Sequence, residues 1–257
     1  MPPTAVQQRI MDQSVFRPLH ANHCTVACST CNLREICLPV GLTSAEMDLI
    51  DGRMVTLRRK VARGDLLFQT GDRFDAVYAV WTGFFKTSVV SKDGREQVTG
   101  FQMGGELIGL DGIGTGRHEV DAVALEDSQV CVIPFADLEQ LGNEVPSLQQ
   151  QLHRVMSREI VRAHSAMLLL GSMYAEERLA AFMINLTKRL QVRGFSASTV
   201  VLRMSREEIG SFLGLKLETI SRTFSKFQAN GLLFVRHRQI SVTDPVGLQQ
   251  LLEGADA

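Results

Sequence analysis

From Leu152 to Tyr174, apolar side chains recur at spacings of four, four, three, four, three and four, at Leu152, Met156, Ile160, Ala163, Met167, Leu170 and Tyr174. A strand cannot place that series on one face, whereas a helix stacks it into a single seam. The stretch follows Pro146, which suits a first helical turn, and Arg154, Arg158, Glu159 and Arg162 flank the seam. A seam of this length predicts a long helix lying along a partner helix, the core of a homodimer. Packing against the chain's own core is the plainer alternative. Either way, the helix divides the chain into two parts with different patterns.

Ahead of it, from about Val55 to Pro134, short β-rich runs (DLLFQ, AVYAVW, FFKTSVV, QVTGF, ELIGL, EVDAVAL, QVCVI) alternate with glycine turns at Gly64, Gly71, Gly83, Gly94, Gly104 and Gly105. That spacing predicts an all-β barrel or roll. A short helix over Thr43–Ile50, capped by Thr43 or Ser44, precedes it. Residues 1–23 show no periodicity and are expected to form a loose arm. With no basic segment leading into an apolar run, no signal peptide is expected, and a cytoplasmic address is the default. No apolar run is long enough to span a bilayer.

Behind the long helix, an amphipathic helix is expected over Ala175–Gln191, stopped by Arg193 and Gly194. Ser205 with Glu208 forms a capping box opening a short helix through Leu213. Gly214 supplies a turn, and a second helix runs from Leu217 to Ala229, ending at Asn230-Gly231. Two helices on a short glycine turn make a helix-turn-helix. LLFV and QISVT around Arg236-His237-Arg238 read as a β-hairpin wing.

Charge agrees with this reading. Residues 203–238 hold seven Lys/Arg against three Glu, a formal +4, while the rest of the chain carries −5. A basic end on a slightly acidic body suits a phosphate-bearing partner. In the second helix, Ile220, Phe224 and Phe227 share a buried face, and Glu218, Ser221, Arg222 and Ser225 lie opposite, near the end of a recognition helix that meets base edges. Arg can fork onto guanine and Glu can accept from cytosine. Glu218 and Arg222, four apart, could equally form a surface ion pair. Lys226 is the expected phosphate contact.

Five cysteines remain: Cys24, Cys28, Cys31, Cys37 and Cys131. Clustered cysteines in a reducing compartment point to metal or redox chemistry. Spacing alone leaves zinc and iron–sulfur both open. No clustered nucleophile and base, phosphate-cradling glycine loop or paired-histidine motif argues for an enzyme, and an electron carrier would need no helix-turn-helix.

Several ordered segments carry a resemblance: C-x2-C-x5-C at Cys28, Cys31 and Cys37; VTGF at Val98–Phe101; EDSQVCVIPF at Glu126–Phe135; AEERLAAF at Ala175–Phe182; and ETISR at Glu218–Arg222. The chain resembles the FNR (fumarate and nitrate reduction regulator) branch of the cyclic-AMP receptor protein superfamily. The resemblance implies an α+β fold: an N-terminal arm (1–40), a cyclic-nucleotide-binding-like β-roll (41–145), a dimerisation helix (146–172) and a winged helix-turn-helix (173–257). It also implies an oxygen-responsive regulator of anaerobic metabolism genes, with a 4Fe–4S cluster on Cys28, Cys31, Cys37 and Cys131 that supports dimerisation. Cys24 and His23 are left outside the ligand set. TTGAT half-sites, inverted as TTGAT-N4-ATCAA, are implied for Glu218, Ser221 and Arg222, and RNA polymerase for exposed loops such as Ser91–Gln97. The roll keeps Gly105-Glu106-Leu107, reminiscent of a nucleotide-binding segment. The Arg-Ser/Thr pair expected further on is replaced by Arg117-His118-Glu119-Val120-Asp121, so no nucleotide ligand is expected.

Overall fold

The structure is a computed structural model that describes residues 27–196 and 198–253; most of the expected arm, with His23 and Cys24, lies outside the described residues. After a series of turns over 27–41 comes α1 (Ser44–Ile50), closed at its start by Thr43 and Glu46, whose side chains each bond the other's backbone amide. Eight strands follow: β1 (Leu57–Val61), β2 (Leu66–Phe68), β3 (Ala76–Thr82), β4 (Phe84–Val90), β5 (Glu96–Met103), β6 (Leu107–Ile108), β7 (Asp121–Ala124) and β8 (Ser128–Pro134). They form two antiparallel sheets, in the orders β1-β8-β3-β6 and β2-β7-β4-β5.

The sheets face one another because both contribute to one buried cluster: Val61, Val80, Ile108 and Val130 from the first, Leu67, Phe68, Phe85, Ala122 and Ala124 from the second. Alternation supplies each sheet with a second, outward apolar face. Ala79, Cys131 and Ile133 on the first pack with the cysteine turns, α1 and the helices that follow. Phe84, Val98, Phe101 and Met103 on the second pack under the C-terminal helices.

Helices α2 (Phe135–Glu144), α3 (Pro146–Ser172) and α4 (Ala175–Val192) lead to β9 (Thr199–Val201), α5 (Arg206–Leu213), α6 (Leu217–Ala229), β10 (Leu233–Arg236), β11 (Gln239–Val242) and α7 (Pro245–Glu253). Strands β10, β11 and β9 form the wing, so the expected hairpin gains a third strand. Sequence reading also missed β1, α2 and α7, all short elements. The rings of Phe101, Phe182 and Phe212 meet with centroids 5.4–6.0 Å apart and join β5 to α4 and α5.

Helix α3 divides its apolar residues between two tasks. Leu148 and Val155 are buried in the roll's own core, with Leu152 half-buried beside them and Met156 half-buried further along. Beyond that, Ile160 is 56% exposed, Met167 69% and Leu168 61%, while Ala163 and Leu170 are also exposed. The first turns thus serve the chain's own core, the plainer alternative, and the rest presents an apolar stripe outward. Among the described residues, no helix is long and apolar enough to cross a membrane.

Candidate thiol pocket and nucleic-acid interface

Backbone bonds from Cys31 N to Cys28 O (3.1 Å), Cys37 N to Leu33 O (2.9 Å) and Val40 N to Cys37 O (3.2 Å) curl residues 28–40 into consecutive turns. Asp51, at the C-terminus of α1, anchors the first turn: one carboxylate oxygen accepts from the amides of Cys28 (2.7 Å) and Ser29 (3.2 Å), the other from the Ser29 hydroxyl. This curl and β8 meet at one pocket, lined by Cys28, Cys31, Cys37 and Cys131 together with Trp81 and Arg58. Cys131 sits opposite Arg58 in the β1–β8 pairing and opposite Ala79 in β3–β8.

Burial pushes the Cys28 thiol up to about 12, reinforced by Cys37, Cys131, Asp51 and Cys31. Burial also pushes Cys37 up to about 12, against a lowering bond from the Leu38 backbone. Cys131 is raised by burial and partly drawn back by Arg58. Burial thus disfavours the thiolate form of Cys28, Cys37 and Cys131, and a metal centre held there would have to displace their protons. The donor set is all sulfur, which fits an iron–sulfur core. Among the described residues, no three His, Cys, Asp or Glu groups could hold a metal ion as they stand. A cubane asks less of the sulfurs, one thiolate for each iron.

The cysteine turns rest on the β5–β6 turn. Gly105 adopts φ +83°, and a Cβ there would lie 2.8 Å from Ile36 Cγ1, so glycine lets the two segments touch. The next residue, Glu106, is 7% exposed. Its carboxylate accepts from Arg189 of α4 (2.5 and 3.0 Å), Arg193 at the end of α4 (2.9 Å) and Arg162 of α3 (3.3 Å). Burial alone would raise its pKa, but Arg189, Arg193 and Arg162 outweigh that and hold it below the usual carboxylate range. Glu106 thus ties α3 and α4 to the turn on which the cysteine segment rests.

In the helix-turn-helix, Ser205 N donates to Glu208 Oε2 (2.7 Å) and Glu208 N to Ser205 Oγ (3.1 Å), the expected capping box. Gly214 makes the turn at φ +63°, where a side chain would be strained. On α6, Ile220, Thr223, Phe224 and Phe227 are buried; Glu218, Arg222, Ser225 and Lys226 are exposed and Ser221 half-buried. Glu218 and Arg222 do not pair with one another among the described ion pairs, so both heads are free to meet a ligand. Lys226 instead donates to Glu176 of α4 at 2.5 Å. Arg236, His237 and Arg238 at the wing tip are exposed, and His237 takes φ +55° in the turn.

Sequence reading brought the four cysteines and the α6 face to notice but missed Arg58, Asp51 and the Glu106 cluster.

The cyclic nucleotide-binding domain model matches residues 58–144, and the Crp-like helix-turn-helix model matches residues 177–251. The chain is 46% identical to the transcriptional regulatory protein btr of Bordetella pertussis, covering 88% of this chain and 93% of that one. It is 39% identical to the fumarate and nitrate reduction regulatory protein of Escherichia coli, covering 94% and 96% respectively. Among solved structures, FixK2 from Bradyrhizobium japonicum superposes with a TM-score of 0.70 at 30% identity, over 76% of this chain and 96% of that one. The folds and relatives matched are those of transcription regulators.

Proposed function

Since the chain belongs to the FNR branch of the cyclic-AMP receptor protein/FNR superfamily of DNA-binding transcription regulators, we propose that it is an oxygen-responsive homodimeric regulator of anaerobic metabolism genes. Its signal is a 4Fe–4S cluster on Cys28, Cys31, Cys37 and Cys131. The observation that carries this reading is that these thiols, three from the turns and one from β8, line a single pocket. When bound, such a cluster supplies an oxygen-labile core that ties the two segments together.

The protein's own residues do the rest. A core held there would tie the cysteine turns to β8; without it, the turns are retained by the Asp51 bonds, the Ile36 contact at Gly105 and the burial of Cys28 and Leu38 in the roll's core. Glu106 carries that difference to Arg162 of α3 and to Arg189 and Arg193 of α4. The outward stripe of α3, from Ile160 to Leu170, is the surface a second copy covers. In the dimer, the face of Glu218, Ser221, Arg222 and Ser225 meets base edges of each TTGAT half-site, with Arg222 on the guanine and Glu218 on the cytosine of its G·C pair, and Lys226 meets the backbone. The hairpin turn over Ser91–Gln97 is the surface offered to RNA polymerase, and the protein works in the cytoplasm. A nucleotide role for the roll is disfavoured because Glu106 is already engaged by arginines.

Anaerobic purification followed by iron and sulfide assay tests this. About four irons and four sulfides per chain are expected; a colourless protein holding zinc overturns the sensor while leaving DNA binding intact.

A further inference from the structure

Within the thiol pocket, Arg58 stands apart chemically. Its guanidinium carbon lies 3.8 Å from the Trp81 ring centroid, a stacked cation–π geometry that fixes the plane of the head group. Its Nε–H is shielded from solvent and has no hydrogen-bond acceptor. Its backbone is paired directly with Cys131 across β1–β8. The other cation lining the pocket, Arg34, is occupied elsewhere: it bonds Glu35 at 2.9 Å and the Ser29 carbonyl at 3.1 Å, and its side chain is 53% exposed. A buried donor left without an acceptor costs free energy, so a native pocket that keeps one is expected to have an acceptor in its functional state.

We propose that Arg58 is a positioning and charge-compensating residue for the iron–sulfur core, donating Nε–H to a sulfur at the Cys131 side and placing a fixed positive charge beside it. This rests on the reading of the pocket as an iron–sulfur site. Four thiolates around such a core leave a net negative charge in a pocket whose other lining is largely apolar (Leu33, Val55, Val80, Ile133). A cation held in place by stacking lowers the cost of burying that charge. Hydrogen bonds and charge near the sulfurs also set how readily the core gives up an electron. Arg58 therefore makes the core more firmly held and slower to be oxidised by air, and so sets the oxygen level to which the protein responds.

The test compares wild type, Arg58→Gln and Arg58→Lys, purified without air. Two quantities are read: iron loss to a chelator under nitrogen, and the decay of visible absorbance after air is admitted. The thermal midpoint of each iron-free protein is measured alongside. Arg58→Gln is expected to hold iron about tenfold less tightly, the lower end for outer-shell partners of a metal site, and to bleach faster in air. Arg58→Lys keeps the charge and is expected to recover most of both, with iron-free midpoints unchanged. An iron-loaded Arg58→Gln matching wild type in both readings overturns the Arg58 assignment alone. So does equal impairment of the two variants together with lowered iron-free midpoints, which would reduce Arg58 to packing on Trp81. A wild-type protein that takes up no iron overturns the pocket reading itself, and the assignment with it.

Discussion

Single residues separate what chemistry can read from a sequence and what it cannot. Glu218 and Arg222 were legible as an exposed pair on α6, the pair proposed to read bases, because helical spacing puts them opposite Ile220 and Phe224. The ion pair that spacing equally allowed does not form among the described residues. Replacing Arg222 with Ala is expected to remove about 1–3 kcal/mol of discrimination at one position of the half-site. Measuring affinities for duplexes altered at each base in turn checks this: relaxed preference at a single position supports base contact, and unchanged discrimination removes Arg222 from the reader. Arg58 and Glu106 were not legible. Their importance comes from partners far away in the chain, Cys131 for one and Arg189 and Arg193 for the other, and no local pattern marks such contacts.

Among the elements, those with strong periodicity or punctuation fell where the sequence put them. Expected helices at Ala175–Gln191 and Leu217–Ala229 are observed at Ala175–Val192 and Leu217–Ala229, because an acidic first turn, a glycine stop or a capping box fixes their ends. Strand β1 was missed because LRRKV shows no clear alternation; its charged side chains lie along an edge strand, where charge is tolerated. The seam of α3 was read as one interface, but the roll's core takes its first turns. The contact between the cysteine turns and the β5–β6 turn depends on Gly105. Gly105→Ala forces a Cβ against Ile36 and a strained φ, and is expected to destabilise the protein by about 1–3 kcal/mol and lower its iron content. Equal iron content and an unchanged unfolding midpoint would show that this contact does not matter.

For the whole molecule, Glu106 joins the roll to α4 and to α3, the helix of the proposed dimer seam. Removing its charge strands Arg193, whose side chain is only 8% exposed, so Glu106→Gln is expected to cost about 3–5 kcal/mol. The pH dependence follows from the lowered pKa of Glu106, whose ordinary value is 4.5. A carboxyl depressed in the folded state contributes its full stabilisation above the unfolded value and loses it as pH falls through the folded one. The midpoint difference between wild type and Glu106→Gln should therefore be constant near neutrality and shrink below about pH 4.5. A difference independent of pH down to acid unfolding would rule out the ionised cluster.

That the thiol pocket governs DNA binding is tested most directly by affinity for a duplex bearing inverted TTGAT half-sites, measured without air and again after exposure to it, for wild type and Cys131→Ser. Wild type is expected to bind tightly without air and to lose that binding on exposure, and Cys131→Ser to bind weakly in both conditions. Equal wild-type affinity before and after air, or a Cys131→Ser protein that responds to air as wild type does, would contradict the account.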